Sequence, residues 1–137
     1  MAPFKHDKEE TAMKKLGVLS FILLTFLLAA CQQETQGSSE ISAKELESRL
    51  GDAKILDVRT MAEYDSGHVP GAELLPLQGI EANPSSYESL ARTETYYIIC
   101  QSGNRSSQAV ALLEEQGFEN LVNVTGGMNE WQGEMEK

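Results

Sequence analysis

From residue 53 onward, short apolar runs rich in β-branched and aromatic residues alternate with longer segments of helical character. The runs are AKILDV (53–58), a shorter one around Ala72–Leu75, TETYYIIC (93–100) and ENLVNV (119–124). Their composition predicts buried strands. Between them lie TMAEYDSG (60–67), with Thr60 as a cap and Gly67 as terminator, and NPSSYESLAR (83–92), with Ser85 or Ser86 near its start. SSQAVALLEEQG (106–117) is the clearest helix, with Val110, Leu112 and Leu113 apolar and Gly117 as its stop. Upstream, ISAKELESRLG (41–51) predicts another helix: Ser42 and Glu45 form a capping box, Ile41, Leu46 and Leu50 share a face, and Gly51 ends it. Strands that alternate with helices imply an α/β fold, a mostly parallel sheet with helices on both faces. In such sheets ligands bind beyond the carboxyl ends of the strands. Cys100 stands at the end of the strongest strand.

The N-terminus reads as a targeting segment. In MKKLGVLSFILLTFLLAACQQ, from Met13, Lys14 and Lys15 precede an apolar stretch from Leu16 to Leu28, and Ala29 and Ala30 follow it. That order is a secretory signal, too short for a comfortable membrane span. The end, LAAC, resembles the bacterial lipoprotein signal, which implies lipid on Cys31 and cleavage just before it. The alternative is a buried helix or signal anchor with a chance cysteine. Residues 1–12 carry three acids and sit oddly before such a signal, so either Met1 or Met13 could be the start. The expected layout is a leader over 1–30, a lipidated cysteine and polar tether over 31–40, and a folded domain over 41–137.

The net charge is −10. Residues 1–30 hold three acids and four bases, which leaves 18 acids and 7 bases in the processed chain, a net of −11. Such a surface argues against non-specific nucleic-acid binding. It would also be repelled by an anionic membrane, so the lipid is the expected membrane contact. The expected location is extracytoplasmic, on a bacterial membrane. With Cys31 lipidated, Cys100 is the only free thiol, and an internal disulfide is impossible. One histidine, His68, then remains, too few ligands for a zinc site.

The segment CQSGNRSS (100–107) combines three effects. A short loop with one glycine, Gln101 to Asn104, can turn its N–H groups inward as an anion nest. The helix that follows adds the positive end of its dipole. Arg105 adds a fixed positive charge at the rim. All three favour a thiolate over a thiol and predict a lowered Cys100 pKa. The competing reading is a structural cysteine that ends a buried strand. Asp57 and Arg59 close another strand and could face the site, though a structural ion pair is the plainer reading. His68 reads as a hydrogen-bonded turn residue, Met128 and Trp131 as core, and Gly126 with Gly127 as a tight turn.

At this point the chain resembles the rhodanese family over roughly residues 41–132. ILDVRTMAEYDSGHVPGA (55–72) is similar to the family's first signature, and YYIICQSGNRSSQAVALLEEQGFENLVNVTGGMNEWQ (96–132) to its active-site segment and closing GG…W. The resemblance implies a five-stranded sheet and a sulfurtransferase. Cys100 would take sulfur from a small anionic donor such as thiosulfate, hold it as a persulfide, and pass it to a thiol or cyanide-like acceptor. The N–H groups of Gln101, Ser102, Gly103, Asn104, Arg105 and Ser106 would hold the anionic sulfur, and Arg105 would dock the donor. No metal or organic cofactor is implied, and a monomer is the default. Related phosphatases place five residues between Cys and Arg; here there are four. A phosphatase or arsenate reductase remains an alternative, as do a persulfide carrier or interaction module without turnover and a redox protein with a resolving thiol supplied in trans.

Overall fold

The structure is a computed structural model and describes residues 38–137. The expected leader, Cys31 and most of the expected tether lie outside the described residues. Five strands form one sheet: β1 (Ser39–Ser42), β2 (Lys54–Asp57), β3 (Glu73–Leu74), β4 (Thr95–Ile99) and β5 (Asn120–Thr125). Their order is β1-β5-β4-β2-β3, and every neighbouring pair is parallel. The helices are α1 (Ala43–Glu47), α2 (Met61–Ser66), α3 (Leu77–Ala82) and α4 (Asn104–Glu115), with short 3-10 turns at Pro84–Tyr87 and Gly127–Asn129.

The strand sequences explain the two-sided packing. Consecutive residues on a strand point to opposite faces. Leu56, Ile98 and Leu121 join one core layer with Ile80 of α3 and Ala109, Val110 and Leu113 of α4. Ile55, Ile99 and Val122 join the other with Ala43 and Leu46 of α1, against which Tyr64 of α2 and Trp131 also pack. Runs with apolar residues at consecutive positions suit a parallel sheet covered on both sides. The described domain is therefore the α/β architecture expected, with helices on both faces.

Three local expectations are corrected. Ser39–Ser42 is a strand, so Ser39 and Glu40 lie in the sheet rather than in a tether, and Ile41 is on β1 rather than on a helix. Only Ile41 is buried in that strand, and its ladder comes from β5, far away in sequence. Such an edge strand leaves little local pattern. Ile41, Leu46 and Leu50 still meet in one core layer. Second, the Ser42–Glu45 box is half formed. Ser42 Oγ accepts from the Glu45 N–H at 3.2 Å, while the Glu45 carboxylate turns to Arg49. The reciprocal box is found at Thr60 and Glu63, at the start of α2. Third, the helix expected over NPSSYESLAR is one 3-10 turn, capped by Asn83 rather than by a serine, and the helix of this region is α3. α3 has no side-chain cap and contains Gly79, so its propensity signal is weak.

Among the described residues, no helix is long and apolar enough to cross a membrane.

Candidate active site

Cys100 directly follows β4, and its side chain is fully buried at the carboxyl end of the sheet. The chain must then reverse into α4 within three residues. Gly103 makes this possible: it caps the helix with φ of 98°, a left-handed conformation that favours glycine. In that geometry the Gly103 N–H donates to Cys100 Sγ at 3.1 Å. Ser106, in the first turn of α4 and fully buried, brings its hydroxyl to 3.4 Å from the same sulfur.

These contacts set the charge state of the sulfur. Burial is the largest single influence and pushes the Cys100 thiol up. The Ser106 hydroxyl and the N–H groups of Ser106, Ser102 and Gly103 outweigh it together, and the net direction is downward. The physical reason is that N–H and O–H dipoles converge on one atom, which favours its anion.

Gln101 ties the cradle to two neighbours. Its side chain donates to Asn129 Oδ1 at 2.7 Å and receives Arg59 Nη1 at 3.4 Å. Ser102 and Asn104 are exposed. The turn after β5 buttresses the same loop: Met128 N–H donates to the Cys100 carbonyl and Asn129 N–H to the Gln101 carbonyl, both at 2.9 Å. Gly127 lies flat against that backbone with φ of 53°, and a Cβ there would stand 2.3 Å from the Cys100 carbonyl oxygen. Gly126 and Gly127 were expected only as a tight turn. Their role as a wall of the cradle was missed, because the contact joins residues 27 positions apart and only the doubled glycine hints at it.

Arg105 is not a free charge at the rim. Nη1 donates to Glu63 Oε2 at 2.8 Å and Nη2 to Glu63 Oε1 at 2.7 Å. The Arg105 guanidinium holds the Glu63 carboxyl well below the usual carboxylate range, helped by the Thr60 N–H and hydroxyl against an opposing push from burial. Glu63 in turn raises Arg105. The pair ties α2 to α4. Beside it lies a cavity of about 360 Å³ whose lining includes Arg59, Met61, Gln78, Glu81 and Arg105. Glu63 falls in the first signature segment and in the expected helix, but its pairing with Arg105 was another omission of the sequence reading.

Asp57 and Arg59 form the structural pair expected. Both are buried, with Arg59 Nη2 at 2.7 Å and Nε at 3.0 Å from Asp57 oxygens. Arg59 Nη2 also donates to the Gly67 carbonyl at 2.8 Å. Arg59 touches the cradle loop through Gln101. His68 stacks on Tyr64 at 3.6 Å, and its Nδ1 lies 3.0 Å from the Tyr64 carbonyl oxygen, so it serves the turn. Among the described residues, no three His, Cys, Asp or Glu side chains group as metal ligands.

Known proteins resemble this chain over most of the described domain. The family model for the rhodanese-like domain matches residues 42–134. A sulfurtransferase of Allochromatium vinosum is 35% identical over 96 residues, which cover 68% of this chain and 87% of that protein. The "Putative sulfur carrier protein YrkF" of Bacillus subtilis is 34% identical over 121 residues, 84% of this chain but only 64% of that protein's length. Among solved structures, a rhodanese-like domain protein from Staphylococcus aureus is 38% identical and superimposes with a TM-score of 0.63, over 72% of this chain and 96% of that one.

Proposed function

Because the chain belongs to the rhodanese-like domain family, we propose that it is a sulfurtransferase that carries sulfane sulfur as a persulfide on Cys100. The observation that carries this reading is the Gly103 N–H on a fully buried Cys100 sulfur, in a loop whose dipoles favour the anion. The Cys100 thiolate attacks the outer sulfur of a donor such as thiosulfate. A sulfur–sulfur bond to Cys100 forms, the bond to the sulfonate sulfur breaks, and sulfite departs with the electron pair. The terminal persulfide sulfur, an anion, takes the same N–H groups of the Gln101–Ser106 segment. A thiolate or cyanide acceptor then attacks that sulfur and the Cys100 thiolate leaves, which restores the starting state. No proton needs to be removed during either step, so no general base is required.

The relative named as a sulfur carrier favours a second reading, a persulfide carrier loaded by another protein. The site supports it in one respect: Arg105 and Arg59, two cations near the cradle among the described residues, already hold Glu63 and Asp57. A small dianion would therefore meet N–H dipoles rather than a free charge. A phosphatase-like reading has less support, since Arg105 would have to release Glu63 to hold phosphate oxygens. Sulfite and thiocyanate release from thiosulfate and cyanide separates these readings. Turnover that is lost in Cys100→Ser supports the enzyme. A folded protein that accepts sulfur only from a persulfidated protein supports the carrier. Phosphate-ester hydrolysis would contradict both.

The LAAC sequence at 28–31 supports a lipid-anchored, extracytoplasmic bacterial protein. Lipid on an N-terminal Cys31, found by mass spectrometry of the protein from its own membranes, tests that anchor. A soluble, unmodified chain would contradict it.

A further inference from the structure

A buried polar chain runs from the reactive sulfur to the edge of the sheet. Asn123 of β5 is 4% exposed and lies on the same strand face as Leu121, which packs with Ala109 and Val110. An amide in such a layer is costly unless its polar atoms are satisfied. Asn123 Oδ1 accepts the Ser106 hydroxyl at 2.7 Å, and Asn123 Nδ2 donates to Glu40 Oε1 at 3.2 Å. Glu40 stands opposite Asn123 in the β1–β5 ladder, so their side chains emerge on the same face. The carboxylate fixes the amide. A flipped amide would set Asn123 Oδ1 against the Glu40 oxygen.

Ser106 has one hydroxyl hydrogen and two acceptors for it, Asn123 Oδ1 at 2.7 Å and Cys100 Sγ at 3.4 Å. When Cys100 is a thiol, its S–H can donate to Ser106 Oγ while the hydroxyl donates to Asn123. When the sulfur is an anion, the hydroxyl must turn to it and Asn123 Oδ1 loses its donor. We propose that Asn123, oriented by Glu40, is a positioning residue that competes for the Ser106 hydroxyl and so restrains the thiolate of Cys100. The restraint limits how far the cradle can favour the anion, and it makes β1 part of the site's chemistry.

Two ion pairs lie near the cradle and stay in place in the variants below. Arg105 with Glu63 comes from α4 and α2; Asp57 ends β2, and its partner Arg59, just beyond the strand, reaches the cradle through Gln101.

The test is the rate of Cys100 alkylation by iodoacetamide as a function of pH, measured on the purified full-length protein. It reads the thiolate directly and does not depend on the sulfur-transfer reading. Asn123→Leu removes the competing acceptor and should lower the midpoint by roughly 0.5–1 pH unit, the scale of one neutral hydrogen bond. Glu40→Gln, at an exposed residue, lets the amide flip and donate to Ser106 Oγ, so the midpoint should fall in the same direction. In a Ser106→Ala background the Glu40→Gln shift should vanish. An unchanged or raised midpoint in folded Asn123→Leu would overturn the proposal. So would a Glu40→Gln shift that persists without the Ser106 hydroxyl, since that would be a through-space charge effect. If Asn123→Leu does not fold, the Glu40 pair of measurements decides alone.

Discussion

Arg105 and Glu63 face each other across the gap between α4 and α2, and each guanidinium terminal nitrogen meets its own carboxylate oxygen, at 2.8 and 2.7 Å. Glu63 also closes the capping box of α2 through the Thr60 N–H. One carboxylate therefore holds the cradle's helix and caps its neighbour. Glu63→Gln keeps an acceptor for the cap and loses the charge. It should cost about 1 kcal/mol at neutral pH, because the pair is one-third exposed and partly screened. The folded-state pKa of Glu63 is depressed, so its contribution stands above the ordinary carboxylate range and is lost as pH falls through and below that range. Urea midpoints of the wild type and Glu63→Gln should differ at neutral pH and converge in acid. A constant gap would show that the ion pair contributes nothing to it.

The same pair bears on donor choice. Arg105→Ala should lower stability by about 1 kcal/mol, yet change the thiosulfate KM less than tenfold, since the guanidinium is already engaged. A KM that rises a hundredfold with unchanged kcat would show that Arg105 leaves Glu63 to bind the donor.

Gly127 cannot be replaced without moving the cradle. Its φ of 53° and the 2.3 Å approach of a Cβ to the Cys100 carbonyl oxygen leave no room for a side chain. Gly127→Ala should destabilise by roughly 2–4 kcal/mol. It should also slow Cys100 alkylation, because the N–H groups would no longer converge on the sulfur. Thermal unfolding and alkylation rate read the two effects; wild-type values for both would contradict this packing.

Ser106→Ala removes a hydroxyl that favours the Cys100 anion. The alkylation midpoint of the wild type should lie below that of an ordinary free thiol, and in Ser106→Ala it should move up. A depressed thiol pKa in the folded state also means that Cys100 adds stability only as pH rises through the thiol range. The stability difference between the wild type and Cys100→Ser should therefore widen in mild alkali. A midpoint that is unmoved in Ser106→Ala would leave the N–H groups alone responsible.

Much of the architecture was legible in the residues. β2, β4 and β5 are apolar at successive positions, and α4 carries a clean helical face with glycine after its end. Thr60 as the cap of α2 could be read from its neighbours. β1 could not, since one buried residue, Ile41, stands among polar ones and its ladder depends on β5. α3 hid behind Pro76 and Gly79. In the site, the Cys100–Ser106 segment was legible because strand, loop and helix are contiguous there. Its supports were not. Arg105 meets Glu63 across 42 positions, and Asn123 meets Glu40 across 83. The fixed charge expected of Arg105 is neutralised by a partner that local spacing cannot reveal.

The most direct test of sulfur chemistry at Cys100 is the intact mass of the purified protein after exposure to thiosulfate and removal of excess reagent. The expected result is a gain of one sulfur atom that is absent in Cys100→Ser and lost on addition of cyanide. A folded wild-type protein with an alkylatable Cys100 that gains no sulfur from thiosulfate or from a persulfidated protein would contradict it.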